Sequence, residues 1–503
     1  MLKKLISLAL ALALLSTAII SISAAGAADS RKDGYIDNSA LIPAIVPDSQ
    51  VELDANGTPD WVSSLILGEL RIATATKEGT LQAAVSVLDH YAEMGVNGLW
   101  VCPVYDPGKT GNGYSNMGPH TIDPVITGTD DYTEGWKRLK TFIDEAHKRN
   151  IRIFLDVISW GTVNESPLFT EHPDWYTANS VWGGREFNFA NEAFTAWYID
   201  EVVGIALKTG CDGFRYDVEP SYAGYAVDGE IRRRLLQQGK KIFTIGEADN
   251  ERGGAYDVEQ GGVTGTVTEE NYQAPEPIYF MLDRYDLVDS IRSGEHLGSV
   301  AAQEKGMGGR YRYYTNCLSC HDNRYPVAHG NRLAFGYAML YSPFIPLWYI
   351  GEEWNAPRDS AGVLYHDRID WDTLGQEENR AFYEDVKTML RIRRQYPEIF
   401  AVYPEEFIRA NICRAETTGG GLQAYARYTD GMALLIVPNN TAEDGQITVT
   451  LPFAACGLNR ERRFTVTDAV TDAVIVQGRA EEVETITVYV PRKDQRVLKV
   501  AET

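Results

Sequence analysis

The stretch Gly210-Cys-Asp-Gly-Phe-Arg-Tyr-Asp-Val-Glu219 begins with a glycine that can end a helix and continues as a short predicted strand. Side chains alternate between the two faces of a strand, so Arg215 and Asp217 are expected on the same face. A cation two residues before a carboxylate at a strand end is typical of a functional site, although a surface ion pair produces the same pattern. The other strand ends of the chain decide between these two interpretations.

Apolar segments that predict strands alternate with segments of helical periodicity between about residues 60 and 400. Besides the opening stretch, the predicted strands are Ser64 to Arg71, Gly98 to Val104, Arg152 to Ile158, Ile242 to Glu247, Pro277 to Leu282, Tyr313 to Cys320 and Pro343 to Ile350. Strands that alternate with helices predict a parallel sheet whose two faces are covered. The sequence therefore predicts an α/β fold of the (β/α)8 TIM-barrel type.

The chain of 503 residues is longer than one ordinary domain. Residues 1–27 form a predicted signal peptide, 28–60 a polar N-terminal arm and 61–400 the catalytic barrel, with a short inserted loop domain at 159–191 after the third strand. Short alternating strands and turn signals such as Gly419-Gly-Gly421 follow. They predict a C-terminal all-β sandwich domain over residues 401–503.

The N-terminus has the three parts of a secretory signal peptide. A basic start with Lys3 and Lys4 precedes an apolar run from Leu5 to Ile22, and small residues before Ala28 form a cleavage pattern. A membrane anchor is the alternative, since the apolar run is about long enough to span a bilayer. We expect a secreted protein of bacterial type that has no membrane segment after cleavage.

Charge and cysteine content narrow the class of partner. The net charge of −23 argues against a nucleic-acid partner, because no basic stripe is present to meet phosphates, and it suits a soluble protein with a neutral substrate. The six cysteines are too sparse for a disulfide scaffold, and the sequence indicates no pairing.

Acidic residues stand at the ends of four predicted barrel strands, namely Asp156, Asp217, Glu247 and the pair His321-Asp322. The carboxyl ends of barrel strands meet at one rim, where TIM-barrel enzymes place their chemistry. Helix caps or solvated loop residues could explain one of these acids but not all four.

Glycoside hydrolysis needs one ionised and one protonated carboxyl group on either side of the bond. Arg215 is placed to keep Asp217 ionised, and Glu247 is then expected to protonate the leaving oxygen. Cleavage of a neutral sugar polymer is therefore one reaction to which the strand ends are suited.

These residues carry a resemblance to the α-amylase family, glycoside hydrolase family 13. The matching segments are Gly210 to Asp217 (G-x-D-G-F-R-x-D), Ile245-Gly-Glu247, His321-Asp322-Asn-Arg324 (H-D-x-x-R), Gly113-Tyr114 with Thr121-Ile-Asp-Pro124, and Pro343 to Glu353. The resemblance covers about residues 60 to 400, and the all-β tail is similar to the family's C-terminal domain. Together these motifs are specific, whereas each alone is weak.

The resemblance implies roles for individual residues. Asp217 is the nucleophile, Glu247 the acid/base and Asp322 the group that stabilises the transition state. The implied substrate-binding residues are Tyr114, which stacks on a sugar, His321, which binds a sugar hydroxyl, and Arg215, Asp156 and Arg324.

The sequence also departs from the family pattern. Trp160 and Gly161 replace an Asn that usually binds calcium and a His that usually contacts sugar, and Pro220-Ser221, Cys320 and Gly118 replace further subsite residues. No metal ligand is therefore predicted, and no cofactor is expected to be required, although calcium binding stays open. Trp160 either stacks on a sugar ring as a substrate-binding residue or packs in the core.

Cys317-Leu-Ser-Cys320-His321 fits the C-x-x-C-H pattern of covalent haem attachment. On a strand, Cys317 and Cys320 point to opposite faces, which opposes both haem attachment and a disulfide. His321 is also already assigned to the sugar site.

The sequence thus predicts a secreted, monomeric glycoside hydrolase that cleaves α-glucosidic bonds of starch-like glucans or maltooligosaccharides by retaining double displacement. An α-glucan transglycosylase with the same site, or a non-catalytic glucan-binding protein on an amylase scaffold, are the alternatives. The presence of Asp217, Glu247 and Asp322 together argues against a non-catalytic scaffold.

Overall fold

Eight parallel strands close into a barrel, in the spatial order β1-β8-β7-β6-β5-β4-β3-β2. They are β1 (Leu67–Leu70), β2 (Gly98–Val101), β3 (Arg152–Val157), β4 (Gly213–Tyr216), β5 (Phe243–Gly246), β6 (Ile278–Leu282), β7 (Tyr314–Cys317) and β8 (Ile345–Tyr349). The computed structural model describes residues 36–53, 57–218, 223, 225–247, 278–282, 314–322, 332–341, 345–357, 366–402, 411–421 and 424–503. The predicted (β/α)8 barrel is confirmed.

The barrel strands are shorter than the segments predicted for them. The segment predicted from Gly98 to Val104 leaves the sheet after Val101, and the one from Tyr313 to Cys320 leaves it after Cys317. The residues that follow keep their apolar character but turn into the rim loops, and hydrophobicity alone does not mark that turn. Cys320 and His321 consequently lie in a loop at the barrel rim.

Helices and short turns connect the strands. They are α1 (Ile72–Ala75), α2 (Leu81–Met94), α3 (Pro124–Thr127), α4 (Tyr132–His147), α5 (Pro167–Glu171), α6 (Glu192–Thr209), α7 (Tyr225–Gln237), α8 (Arg332–Gly336) with a π-helical turn at Tyr337–Tyr341, α9 (Glu377–Gln395) and α10 (Pro397–Phe400). The Asp131 side chain caps α4 by accepting from the backbone N–H groups of Thr133 and Glu134. Asn191 caps α6 in the same way.

The barrel interior is filled by large side chains, among them Trp100, Phe154, Phe243 and Leu347. Close packing of neighbouring strands requires glycine at position 213, where an added Cβ would lie 1.8 Å from the carbonyl oxygen of Phe243. This glycine brings β4, the strand of the opening stretch, against β5, so the ends of the two strands lie side by side.

The segment predicted as a short insertion, residues 159–191, contains a two-stranded antiparallel hairpin of Gly161–Thr162 with Arg185–Glu186. Trp182 lies in its connecting loop with a left-handed φ of 45° and a side chain that is 59% exposed. Trp175 packs instead on Phe194 and Trp197 of α6. The insertion therefore has an aromatic core and one exposed tryptophan.

Residues 411–503 form a second unit, distinct from residues 35–410. Its antiparallel strands, in the order β14-β13-β16-β11-β10-β9-β12-β15, are β9 (Ile412–Thr418), β10 (Ala424–Thr429), β11 (Met432–Asn439), β12 (Gly445–Thr450), β13 (Arg463–Asp468), β14 (Val474–Arg479), β15 (Thr485–Val490) and β16 (Asp494–Glu502), with helix α11 at Ala480–Val483. The first half of β9 pairs with β10 and its second half with β12. The predicted all-β C-terminal domain is confirmed.

The described part of the N-terminal arm packs on the barrel. The buried Asn38 side chain donates to the backbone carbonyls of Met94 and Lys387, both at 2.9 Å. The predicted signal peptide and its cleavage site lie outside the described residues. Among the helices that the structure describes, none is long and apolar enough to cross a membrane.

Candidate active site

Arg215 is the centre of a buried charge cluster at the carboxyl ends of the barrel strands. Its Nη1 atom lies 2.8 Å from Asp156 Oδ1 and 3.0 Å from Asp217 Oδ1, and its Nη2 atom lies 2.9 Å from Glu247 Oε2. The guanidinium also lies over the Trp100 ring at 4.4 Å. Because the Arg215 side chain is only 1% exposed, the pair in the opening stretch is not a surface ion pair.

Asp156 is fully enclosed by this cluster. Its carboxylate accepts hydrogen bonds from Trp100 Nε1 at 2.8 Å, the Tyr114 hydroxyl at 3.0 Å and Arg215. Burial raises the pKa of Asp156, and the charge of Arg215 opposes that shift. Because the Asp156 side chain is 0% exposed, the structure does not support the predicted direct contact with sugar. Asp156 instead positions Arg215 through their ion pair.

Asp217 and Glu247 differ in exposure. The Asp217 side chain is 12% exposed, whereas the Glu247 side chain is 33% exposed and accepts from the Val218 backbone N–H at 2.9 Å. Val218 adopts a left-handed φ of 54°, which is uncommon for a β-branched residue and directs its N–H towards Glu247. The turn after β4 thus joins the two predicted catalytic carboxyl groups.

The protonation of this pair differs from the sequence-based expectation. Burial, together with the charge of Glu247, raises the pKa of Asp217 to about 8, although Arg215 opposes the shift. Burial also acts to raise the pKa of Glu247, but Arg215 and the Val218 N–H outweigh it and lower that pKa. The directions of the two pKa shifts favour Asp217 over Glu247 as the protonated partner, because the desolvation of Asp217 exceeds the effect of Arg215.

His321 lies beneath the rim and pairs with Glu69 at the end of β1. The His321 Nδ1 atom is 2.6 Å from Glu69 Oε1, and the His321 backbone N–H faces both carboxylate oxygens at 3.2 and 3.4 Å. Burial alone would lower the pKa of His321, but Glu69 outweighs it and raises the pKa to about 9. The pairing with Glu69 therefore favours the imidazolium form of His321.

Asp322 stands next to His321 and faces solvent. Its Oδ1 atom lies 3.4 Å from His321 Nε2, and its side chain is 58% exposed. Asp322 is thus accessible at the rim, whereas Arg324, Pro220 and Ser221 lie outside the described residues.

Tyr114 and Trp160 have different surroundings. Tyr114 is half-buried, whereas Trp160 is 1% exposed and donates its Nε1–H to the Tyr114 backbone carbonyl at 3.1 Å. Of the two readings for Trp160, the structure supports core packing. The exposed Trp182 ring meets Trp160 edge to face at 5.3 Å, so it presents the aromatic surface that Trp160 cannot.

Among the described residues, Glu69, Cys102 and His321 bring possible metal-ligating atoms close together. Two ligand atoms on one tetrahedral metal ion at about 2.0–2.1 Å lie roughly 3.3 Å apart. The 2.6 Å between Glu69 Oε1 and His321 Nδ1 is a hydrogen bond and leaves no room for such an ion. The absence of a calcium ligand at Trp160 stays a prediction, with its indole directed at the Tyr114 carbonyl.

Residues 44–182 match the family model of the alpha amylase catalytic domain. Over these residues the chain is similar to the α-amylase family. It is 25% identical over 192 residues to the oligo-1,6-glucosidase IMA5 of Saccharomyces cerevisiae, a match that covers 29% of this chain and 32% of that protein. It is also 22% identical over 416 residues to alpha-amylase 2 of Schwanniomyces occidentalis, covering 74% of this chain and 75% of that protein.

Solved structures of the α-amylase family share the fold. The alpha-amylase from Geobacillus thermoleovorans, complexed with acarbose, superposes with a TM-score of 0.66 at 18% identity, covering 88% of this chain and 99% of that one. The chain spans about a third of the length of the yeast glucosidase and three quarters of alpha-amylase 2.

Three residues of this candidate site were not predicted from the sequence. Glu69 and Trp100 come from β1 and β2, and Cys102 follows β2, with its Sγ 3.3 Å from Glu69 Oε1. A signal for Glu69 was present, since it is a lone acid inside the apolar strand segment Leu67-Gly-Glu-Leu70. Trp100 and Cys102 have no such signal, because apolar residues at a strand end are equally typical of the core.

Proposed function

We propose that this chain is a secreted α-amylase-type glycosidase that cleaves α-glucosidic bonds of starch-like glucans or maltooligosaccharides with retention of configuration. The observation that carries the proposal is the contact of Asp217 and Glu247 with the same Arg215 guanidinium, at 3.0 and 2.9 Å. Retaining glycosidases need two neighbouring carboxyl groups with one proton between them. The match of residues 44–182 to the alpha amylase catalytic domain supports the same reaction.

In this proposal Asp217 attacks the anomeric carbon and Glu247 protonates the leaving glycosidic oxygen. Glu247 then removes a proton from the water that hydrolyses the covalent glycosyl intermediate. The greater exposure of Glu247 suits a group that must reach both a leaving sugar and water.

The proton must reach Glu247 before the bond breaks. In the substrate-free arrangement Glu247 turns towards Arg215 and the Val218 N–H, which keeps it ionised. A sugar that displaces Glu247 from Arg215 leaves the guanidinium to Asp156 and Asp217, which lowers the pKa of Asp217 and raises that of Glu247. Substrate binding itself therefore moves the proton to the acid.

The accessible carboxylate of Asp322 is proposed to stabilise the positive charge that develops on the sugar. The neighbouring His321 is proposed to donate to a sugar hydroxyl through Nε2–H, the ring nitrogen that faces Asp322. These roles require both groups at the same end of the barrel, where β7 delivers them.

A substrate panel of starch, pullulan, dextran, cyclodextrins and short maltooligosaccharides, with product sizing, tests the proposal. We expect release of reducing ends as the α-anomer, and a loss of about 10⁴-fold or more in kcat for Asp217→Asn, because a covalent step is removed. The matched control is Asp228→Asn, since Asp228 is a buried carboxylate on α7 that accepts from the Tyr216 hydroxyl outside the cluster. Full activity in Asp217→Asn contradicts the mechanism.

The same panel separates the alternatives. Products longer than the substrate in the presence of an acceptor sugar indicate a transglycosylase, and glucan binding without reducing ends indicates a non-catalytic protein. Secretion is tested separately, because a protein cleaved as predicted is recovered from the medium with Ala28 at its N-terminus.

A further inference from the structure

The ion pair between Glu69 and His321 is the best-defined feature of the rim that the proposed reaction does not use directly. The Glu69 side chain is 0% exposed and His321 is 3% exposed, and both Glu69 oxygens face His321. A buried carboxylate stays ionised at low cost only when a cation or several donors face it. Glu69 receives these donors from the ring and the backbone N–H of His321 and from the Cys102 thiol, which lies 3.3 Å from Oε1.

The described charged and titratable groups around His321 come from the ends of five other barrel strands and from its own loop. They are Glu69 on β1, Cys102 and Tyr114 after β2, Asp156 on β3, Arg215 and Asp217 at β4, Glu247 after β5 and Asp322 beside His321 itself. Arg215 disfavours a second cation, whereas the carboxylates favour it. Glu69 is the carboxylate that lies within hydrogen-bond distance of Nδ1.

We propose that Glu69 is a positioning residue that holds His321 as an imidazolium, with Nδ1–H bonded inward and Nε2–H directed to the substrate side. The geometry fixes both properties. Glu69 Oε1 lies 2.6 Å from His321 Nδ1. The backbone N–H of His321 donates to the same carboxylate. Nε2 then remains a donor on the side of Asp322.

This arrangement has a consequence for the proposed hydrolase that a neutral histidine lacks. A neutral imidazole bonded through Nδ1–H presents Nε2 as an acceptor, whereas the imidazolium presents it as a donor. The donor form can bind a sugar hydroxyl oxygen while the carboxylates accept from the hydroxyl hydrogens. This part of the inference rests on the proposed function, whereas the protonation of His321 does not.

The direct test is an NMR titration of the His321 ring in the full chain, with and without Glu69→Gln. We expect wild-type His321 to stay protonated through pH 8, and its pKa to fall by about one unit or more in Glu69→Gln, because the opposite charge at 2.6 Å is removed. An unchanged His321 pKa in Glu69→Gln overturns the proposal.

A control variant at Glu353 separates the effect of Glu69→Gln on His321 from a general loss of stability. Glu353 pairs with His90 at the same distance of 2.6 Å, and its side chain is likewise 0% exposed, but the pair lies outside the cluster around Arg215. Glu353→Gln should leave the His321 titration unchanged at a comparable structural cost. If Glu69→Gln fails to fold, wild-type His321 still decides the matter, since a pKa at or below 6.5 contradicts the proposal.

The pH profile of glucan hydrolysis extends the test. Loss of the proton from His321 should weaken sugar binding, so the alkaline fall of kcat/KM should move to lower pH in Glu69→Gln but not in Glu353→Gln. If the chain hydrolyses no glucan, the proposed function fails while the NMR result on His321 still stands. If hydrolysis occurs but neither the profile nor the titration shifts, the role of Glu69 is contradicted alone.

Discussion

The Tyr114 ring stacks on the His321 ring with centroids 4.6 Å apart and an interplanar angle of 12°. The Tyr114 hydroxyl also donates to Asp156 at 3.0 Å. The Tyr114 side chain therefore contacts His321 through its ring and the buried carboxylate of Asp156 through its hydroxyl.

These two contacts of Tyr114 can be separated by mutation. Tyr114→Phe keeps the stack and loses the hydroxyl, whereas Tyr114→Ala loses both. Aromatic stacking contributes about 0.5–1.5 kcal/mol, so we expect Tyr114→Ala to raise KM for maltooligosaccharides roughly three- to tenfold beyond the effect of Tyr114→Phe. Equal kinetics in the two variants would show that the hydroxyl, and not the stack, is what matters.

The raised pKa of Asp217 predicts a pH-dependent stability. A carboxyl group with a folded-state pKa of about 8 and an ordinary unfolded value stabilises the fold at low pH and loses that contribution as pH rises towards 8. Asp217→Asn removes the titration, so its Tm relative to the wild type should be higher at pH 9 than at pH 5, by about 2–4 °C or more. A Tm difference that is the same at both pH values contradicts the raised pKa.

Trp160 and Trp182 should respond differently to truncation. Trp160→Ala empties a buried site and should lower the free energy of unfolding by about 3–5 kcal/mol. Trp182→Ala removes an exposed ring and should leave stability nearly unchanged while weakening glucan binding, measured by calorimetry. If Trp182→Ala binds maltooligosaccharides as the wild type does, the exposed ring takes no part in sugar binding.

The C-terminal unit contains two thiols at short range, since Cys413 Sγ and Cys456 Sγ lie 3.0 Å apart. We expect oxidised glutathione to convert them to a disulfide with release of two molecules of reduced glutathione. The two cysteines are 43 residues apart in the chain. A disulfide that closes a loop of this length stabilises a fold by about 4 kcal/mol in the chain-entropy model. Mass spectrometry should show a loss of two hydrogens, and thermal unfolding a higher Tm.

The matched variants Cys413→Ser and Cys456→Ser should show neither change. The buried Cys211 serves as an internal reference thiol that stays reduced. Recovery of all six thiols after oxidation and unfolding would contradict the pairing.

Much of the barrel could be predicted from the sequence because its strands are continuous apolar segments separated by helical periodicity. The ends of β3, β4, β5 and β7 could also be predicted, since each apolar segment is followed by an acidic residue. The role of Glu69 is harder to predict, because it is a single acid inside an otherwise apolar strand segment. Its partner His321 follows 252 residues later, and such a separation leaves no local pattern.

The balance of charge and burial could not be predicted from spacing. Arg215 was correctly placed beside Asp217, but the proton position depends on how completely Asp217 is removed from water and on Glu247 from the next strand. Trp160 likewise fitted either a sugar platform or the core until its neighbours were known. In both cases the deciding quantity is tertiary burial, which motifs do not encode.

The cluster around Arg215 also has a consequence for the kind of molecule it attracts. Three carboxyl groups contact one guanidinium, and the Asp217–Glu247 pair keeps one proton near neutral pH, so these four groups carry one negative charge in excess. An oxocarbenium-like sugar brings one positive charge. That charge develops as Glu247 gives up its proton, so the four groups then carry a second excess negative charge. The attraction between the cluster and the sugar is therefore strongest in the proposed transition state and weaker for the uncharged substrate and product.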